Sequence, residues 1–112
     1  MDARPPETPG LSSKLALVTG GSMRIGAEIC RHLAISGFSI IIHTHRSIVK
    51  CEDLVGEINQ SGGHAEMVIG DLSVLEGRDA VIAAVFANDI FQVTGGLDLL
   101  VNSASVFSDS TT

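Results

Sequence analysis

The residues able to do chemistry stand in short polar clusters, each directly after an apolar run. The first cluster is Thr19-Gly20-Gly21-Ser22-Met23-Arg24-Ile25-Gly26. A glycine turn between a strand and a helix lets backbone N–H groups approach an anion, and the helix N-terminus adds favourable partial charge. Gly20 suits the tight turn and Gly26 the close packing of helix on strand. The pattern is TGxxxRIG rather than GxGxxG, so a structural turn with no ligand is the competing reading. The second cluster ends the next apolar run: Ile42-His43-Thr44-His45-Arg46-Ser47. In dinucleotide-binding folds a carboxylate about 20 residues beyond the glycine turn holds the ribose 2′-OH. This segment has no carboxylate. Two imidazoles, a guanidinium and a hydroxyl converge instead, a set suited to an additional phosphate. A carboxylate would repel that phosphate, so NADP(H) is expected in preference to NADH. The competing reading is a solvated loop.

Two further clusters follow later runs. Asp71-Leu72 places a carboxylate where it would accept a hydrogen bond from an adenine amino group, and Asn102-Ser103-Ala104-Ser105 follows the last apolar run. Ligands of open α/β sheets bind outside the carboxyl ends of the strands, so the four loops are expected to converge on one crevice.

The elements that must position these clusters are legible in the patterning. Leu15–Val18, Phe38–Ile42, His64–Ile69 and Leu97–Val101 read as strands. Helices are predicted between them. Arg24–Ser36 would turn Ile25, Ile29, Leu33 and Ala34 inward, with Gly37 as its stop. A second helix, capped by Ser47, would bury Val49, Leu54, Val55 and Ile58 before Ser61-Gly62-Gly63. A third, capped by Ser73, would bury Ala80, Val81, Ala84, Val85 and Phe86. The order β-α-β-α-β-α-β predicts an α/β fold, a Rossmann-type doubly wound parallel sheet left incomplete at about four strands and three helices.

Composition narrows the function classes. Thirteen acidic and seven basic residues give a formal charge of −6, which argues against a nucleic-acid partner and leaves any phosphate to a local site. Cys30 and Cys51 stand in no ligand-like spacing, and His32, His43, His45 and His64 do not complete a metal set with them. Free thiols in a reducing, cytoplasmic compartment are the expectation. No stretch reaches the roughly 18 apolar residues of a membrane span. The proline-bearing start, residues 1–13, has no apolar signal region and is expected to be a flexible leader to a domain over 14–112.

From about Lys14 to Phe107 the chain resembles the N-terminal part of the short-chain dehydrogenases/reductases. Within them it looks most like the pteridine reductase group. The family's TGxxxGIG stands here as Thr19-Gly20 through Arg24-Ile25-Gly26, with Arg24 in place of the middle glycine. That change and the HxHRS segment His43–Ser47 carry the resemblance to the pteridine reductase branch. It implies cofactor contacts at Gly20, Ser22, Arg24, Ile25 and Gly26, and 2′-phosphate contacts at His45, Arg46 and Ser47. Asp71 and Leu72, with Asn102, Ser103 and Ala104 of the NNAG element, complete the implied cofactor set. Ser103 departs from the family's second Asn. On the substrate side the resemblance implies Arg24, Ser105 and Phe107, the last stacking a pterin against the nicotinamide.

The family's catalytic Tyr-x-x-x-Lys pair has no counterpart, because the sequence contains no tyrosine. No other group stands out as a general acid, so no catalytic residue is assigned. The expected function is an NADPH-dependent reductase of a pterin, or of a small-molecule carbonyl or imine such as a ketone or quinone. Little or no turnover is expected from these 112 residues alone. The other readings are an NADPH-binding module without catalysis and a truncated product. Full-length members of the family usually form homo-oligomers.

Overall fold

The computed structural model describes residues 14–21 and 24–103. The expected leader and the assignments to Ser22, Ala104, Ser105 and Phe107 lie outside the described residues. The elements are β1 (Leu15–Thr19), α1 (Arg24–Ile35), β2 (Ser39–Thr44), α2 (Ile48–Gln60), β3 (Ala65–Ile69), α3 (Leu75–Ala87), α4 (Asp89–Thr94) and β4 (Leu99–Asn102). All strand pairs are parallel, in the order β3-β2-β1-β4.

Alternation along the strands builds two cores. Val18, Ile40 and Ile42 point to one face, where Ala27 and Cys30 of α1 and Cys51, Leu54 and Ile58 of α2 cover them. Leu15, Leu17 and Ile41 point to the other, against Val81 and Val85 of α3 and Ile90 of α4. Ile40, Ile41 and Ile42 are fully buried, as a strand covered on both faces requires. Each such side chain contributes on the order of 1.5–3 kcal/mol through removal from water. Helices on opposite faces mean that the chain reverses its winding between β1 and β4, which opens a crevice at the strand ends there.

Several sequence expectations are corrected. A fourth helix, α4, follows directly on α3. Asn88 turns the chain, its side-chain oxygen accepting from the Ile90 N–H at 2.8 Å. β2 runs to Thr44, so His43 and Thr44 are buried strand residues rather than loop residues. Ile25 and Val49, each in the first turn of its helix, are 74% and 68% exposed. Ala80 and Phe86 also face outward, and the Phe86 ring packs at 5.2 Å from that of Phe91. From Ala80 to Ala87 α3 is apolar all round, so periodicity could not choose its buried stripe. Ser47 stands at the N-cap of α2 without closing it through its side chain, and Val74, not Ser73, is the N-cap of α3. The Ser73 hydroxyl donates to Asp71 instead.

Both thiols are buried between helix and sheet, Cys30 donating toward Gly21 O and Cys51 toward Ile42 O, each at 3.9 Å. Burial, reinforced by Cys51, pushes the Cys30 thiol up to about 12, and burial with Glu52 pushes Cys51 to about 11, from an ordinary 9.0. Raised values mean that this contribution to stability is complete below pH 9 and is lost as the pH climbs through them. Neither thiol is therefore expected to react with a disulfide reagent near neutral pH until denaturant opens the core. Rapid modification of the native chain, followed spectrophotometrically, would contradict this packing.

Candidate functional site

Parallel pairing brings the carboxyl ends of all four strands to one edge, with Thr19 beside His43 and Asn102, His43 beside Val68, and Thr44 beside Ile69. The glycine turn leaves β1 at this edge. Gly20 adopts φ 66°, a left-handed conformation that glycine enters at little cost. α1 then begins so close to the turn that Gly26 has no room for a side chain. A Cβ there would stand 2.6 Å from Gly20 O, 2.8 Å from Gly21 Cα and 2.8 Å from Ser103 Oγ. The two roles expected of Gly20 and Gly26 are thus the ones the backbone imposes. Arg24 and Ile25 open α1 at the same edge, both exposed.

The β4 end is tied to the turn. Ser103 N–H donates to Thr19 O at 3.1 Å, the Ser103 hydroxyl donates to the same oxygen, and Thr19 Oγ1 donates to Asn102 Oδ1 at 2.8 Å. Ser103 therefore anchors β4 to the turn and fills the space beside Gly26, which accounts locally for a serine at the position where the family pattern has Asn.

On the other side of the turn, the two imidazoles of the His43–Ser47 segment separate. His43 is only 3% exposed, and both its ring nitrogens are engaged, Nδ1 with Gly20 N–H at 3.1 Å and Nε2 with Gly70 O at 2.8 Å. Its convergence with His45 on a phosphate is therefore not realised. Burial is the main cause that lowers its pKa; the hydrogen bond to Gly70 opposes it and His45 adds to the lowering. His45 and Arg46 lie beyond the strand and are exposed, and Ser47 follows at the start of α2.

Asp71 reaches the same region from β3. Its Oδ1 accepts from Ser73 N–H at 2.9 Å and from the Ser73 hydroxyl at 2.6 Å, and its Oδ2 faces His45 Nε2 at 3.8 Å. These Ser73 bonds, then His45 and Arg46, hold its pKa below the usual value. Leu72 packs against the α3 face, and its carbonyl accepts from Arg78 at 3.1 Å. Sequence reasoning missed Gly77, in the first turn of α3, where a Cβ would overlap the Asp71 carbonyl. A glycine inside a predicted helix start was the available signal.

A separate cavity of about 180 Å³ between α1 and α2 lies away from this edge, lined by Arg31, Ile35, Glu57 and Ile58 among others. Its guanidinium is already paired with Glu28 and Glu57. Among the described residues no group of three or more His, Cys, Asp or Glu side chains is placed to hold a metal ion. No helix among them is long and apolar enough to cross a membrane.

A parallel sheet wound on both faces, with a glycine turn at its switch point, defines a Rossmann-type α/β protein. The family model for the short chain dehydrogenases matches residues 14–112, and the chain belongs to that family. It is 37% identical over 98 residues to an uncharacterized oxidoreductase of Methylorubrum extorquens, covering 87% of this chain and 37% of that protein. It is 34% identical over 94 residues to the short-chain dehydrogenase/reductase homolog YusS of Bacillus subtilis, covering 84% of this chain and 82% of YusS. Among solved structures, FolM alternative dihydrofolate reductase 1 from Brucella canis, complexed with NADP, matches with a TM-score of 0.63 and 35% identity over 88% of this chain. The angucycline C-6 ketoreductase LanV with bound NADP matches with a TM-score of 0.77 and 31% identity, again over 88% of this chain. The chain spans 37% and 38% of those two structures respectively, little more than a third.

Proposed function

We propose that this chain forms the NADP(H)-binding part of a short-chain dehydrogenase/reductase, with a pterin-like heterocycle as the favoured substrate class. The observation that carries the cofactor reading is the end of β2, where His45 and Arg46 stand exposed with no carboxylate between Ser39 and Ser47. The structure fits a dinucleotide in one further respect: Gly26 lets α1 start hard against the glycine turn, which sets the helix N-terminus at the strand edge. The N-terminal backbone of α1, with Gly20, Arg24, Ile25 and Gly26, would hold the pyrophosphate. His45, Arg46 and Ser47 would hold the 2′-phosphate, and Ser22 of the turn would add a contact.

Asp71 has one oxygen spent on Ser73 and the other turned toward His45. That second oxygen is the one that would meet the adenine, beside Leu72. Asn102, Ser103 and Ala104 would border the nicotinamide side, and Arg24, Ser105 and Phe107 the substrate. The bound cofactor supplies a hydride; these residues bind and orient it. No residue is assigned to protonate the product, because the family's catalytic Tyr has no counterpart in the sequence.

The pterin preference is supported by the HxHRS segment and by the likeness to FolM. The higher structural likeness to LanV favours a ketone as the second reading. Calorimetric titration of the chain tests the cofactor reading directly. NADPH is expected to bind saturably and at least about tenfold more tightly than NADH, the scale of a charge-assisted hydrogen bond. Absence of saturable binding, or equal affinity for both, would overturn it.

A further inference from the structure

The buried His43 imidazole is not used by the cofactor reading, yet His43 is bonded to the glycine turn through both its ring and its carbonyl. A backbone N–H can only donate and a carbonyl can only accept. Nδ1 facing Gly20 N–H therefore carries no proton, and Nε2 facing Gly70 O carries one. The geometry admits the neutral Nε2–H tautomer alone. The Gly21 N–H donates to the His43 carbonyl at 3.1 Å, so two consecutive peptides of the turn are held by one residue. Gly20 O, in the same peptide as that Gly21 N–H, is in turn the nearest atom to the missing Gly26 side chain, so these two linked peptides together set where α1 begins.

We propose that His43 is the positioning residue of the phosphate-binding turn, a latch between Gly20 and the end of β3 that opens when its Nδ1 takes up a proton. A proton on Nδ1 sets N–H against N–H and releases the Gly20 peptide. The strand neighbours of His43 are Thr19 and Val68, and its ring bonds Gly20 and Gly70, none of them ionisable. The titratable group acting on it is His45, with Asp71 and Arg46 beyond, around His45 and Asp71. Burial, and to a lesser degree His45, favour the neutral ring over the opposing pull of the Gly70 bond, so the latch is closed at neutral pH and its stabilisation is lost as acid titrates the depressed pKa. The consequence for cofactor affinity rests on the NADP(H) reading; the latch itself does not.

The test uses the full 112-residue chain and two variants. His43→Asn keeps an acceptor near the Nδ1 position and cannot be protonated, whereas His43→Phe keeps a ring and no acceptor. Imidazole nitrogen spectra are expected to show the Nε2–H tautomer, with a midpoint below the ordinary histidine value. The Gly20 and Gly21 amide signals should follow that titration in the parent chain and stay flat in His43→Asn. With NADP⁺ as probe, acidification from about pH 7.5 to about pH 5.5 should weaken binding about tenfold more in the parent than in His43→Asn, the scale of one lost buried hydrogen bond. Every other group is common to the two proteins, so the rest of the pH dependence cancels in the comparison. His43→Phe should bind about tenfold less tightly at neutral pH. An Nδ1–H tautomer, glycine amides indifferent to the histidine, or matching pH profiles in the parent and His43→Asn would each overturn the proposal. Failure of the parent chain to bind NADP⁺ overturns the cofactor reading instead, and the spectra still decide the latch.

Discussion

Replacing Gly26 by alanine is expected to destabilise the chain by about 1–3 kcal/mol and to abolish saturable binding of NADPH, because the turn must open to admit one methyl group. Two of the three atoms that this methyl would meet are backbone, Gly20 O at 2.6 Å and Gly21 Cα at 2.8 Å, and backbone cannot rotate away as a side chain can. The third is the hydroxyl oxygen of Ser103, itself engaged with Thr19 O. Relief therefore requires α1 to move off the β1 end, which takes Arg24 and Ile25 out of place with it. Gly56, in the middle of α2, is the control, since a Cβ there meets nothing within 4 Å. Gly56→Ala should be neutral or should stabilise by about 0.5–1 kcal/mol through helix propensity. Denaturant unfolding of both variants decides the matter: a Gly26→Ala chain as stable as the parent would show that the turn is looser than its geometry.

The second large effect is expected at Arg46. Arg46→Asp should weaken NADPH binding by about a hundredfold while leaving NADH within about threefold, the range set by losing one charge-assisted contact and gaining a repulsion. The guanidinium is exposed beyond β2 and packs into neither core, so the melting temperature should hardly change. Asp71 sharpens the effect. Its carboxylate already faces His45 at 3.8 Å, so a second carboxylate would crowd two negative charges beside the phosphate. Parallel titrations with the two cofactors provide the measurement. An unchanged NADPH affinity would remove Arg46 from the proposed 2′-phosphate site and leave His45 and Ser47 to carry it.

The two predictions draw on different layers of information. That a glycine belongs at position 26 was legible from TGxxxRIG, and that no carboxylate ends β2 was legible from HTHRS. Clustering of four polar segments at one edge followed from the strand–helix alternation, because parallel strands place every βα loop on the same side. The sequence could not divide the two imidazoles of the His43–Ser47 segment, which stand two residues apart in an identical chemical vocabulary. A strand alternates its faces, yet neither His43 nor His45 is placed by that rule alone. What separates them is where β2 stops: at Thr44, so that His43 is clamped within the sheet edge and His45 is carried beyond it.

The same distinction explains Ser103 and α3. A serine at a position where the family pattern has Asn reads as a departure in sequence; in three dimensions it is the group that ties β4 to Thr19 and fills the gap left by Gly26. α3 carried too many apolar residues for its pattern to choose a face, and only contact with Leu15, Leu17 and Ile41 selected Val81 and Val85 over Ala80 and Phe86. By itself, then, the sequence determined the alternation of strands and crossover helices, the parallel sheet and the character of its anion-seeking edge, because these depend on local patterning and short-range turn chemistry. Which polar side chains face a ligand and which hold the frame was decided by the tertiary structure. That choice turns on the ends of strands and the meeting of residues more than eighty positions apart, such as Thr19 and Ser103, which no local pattern encodes.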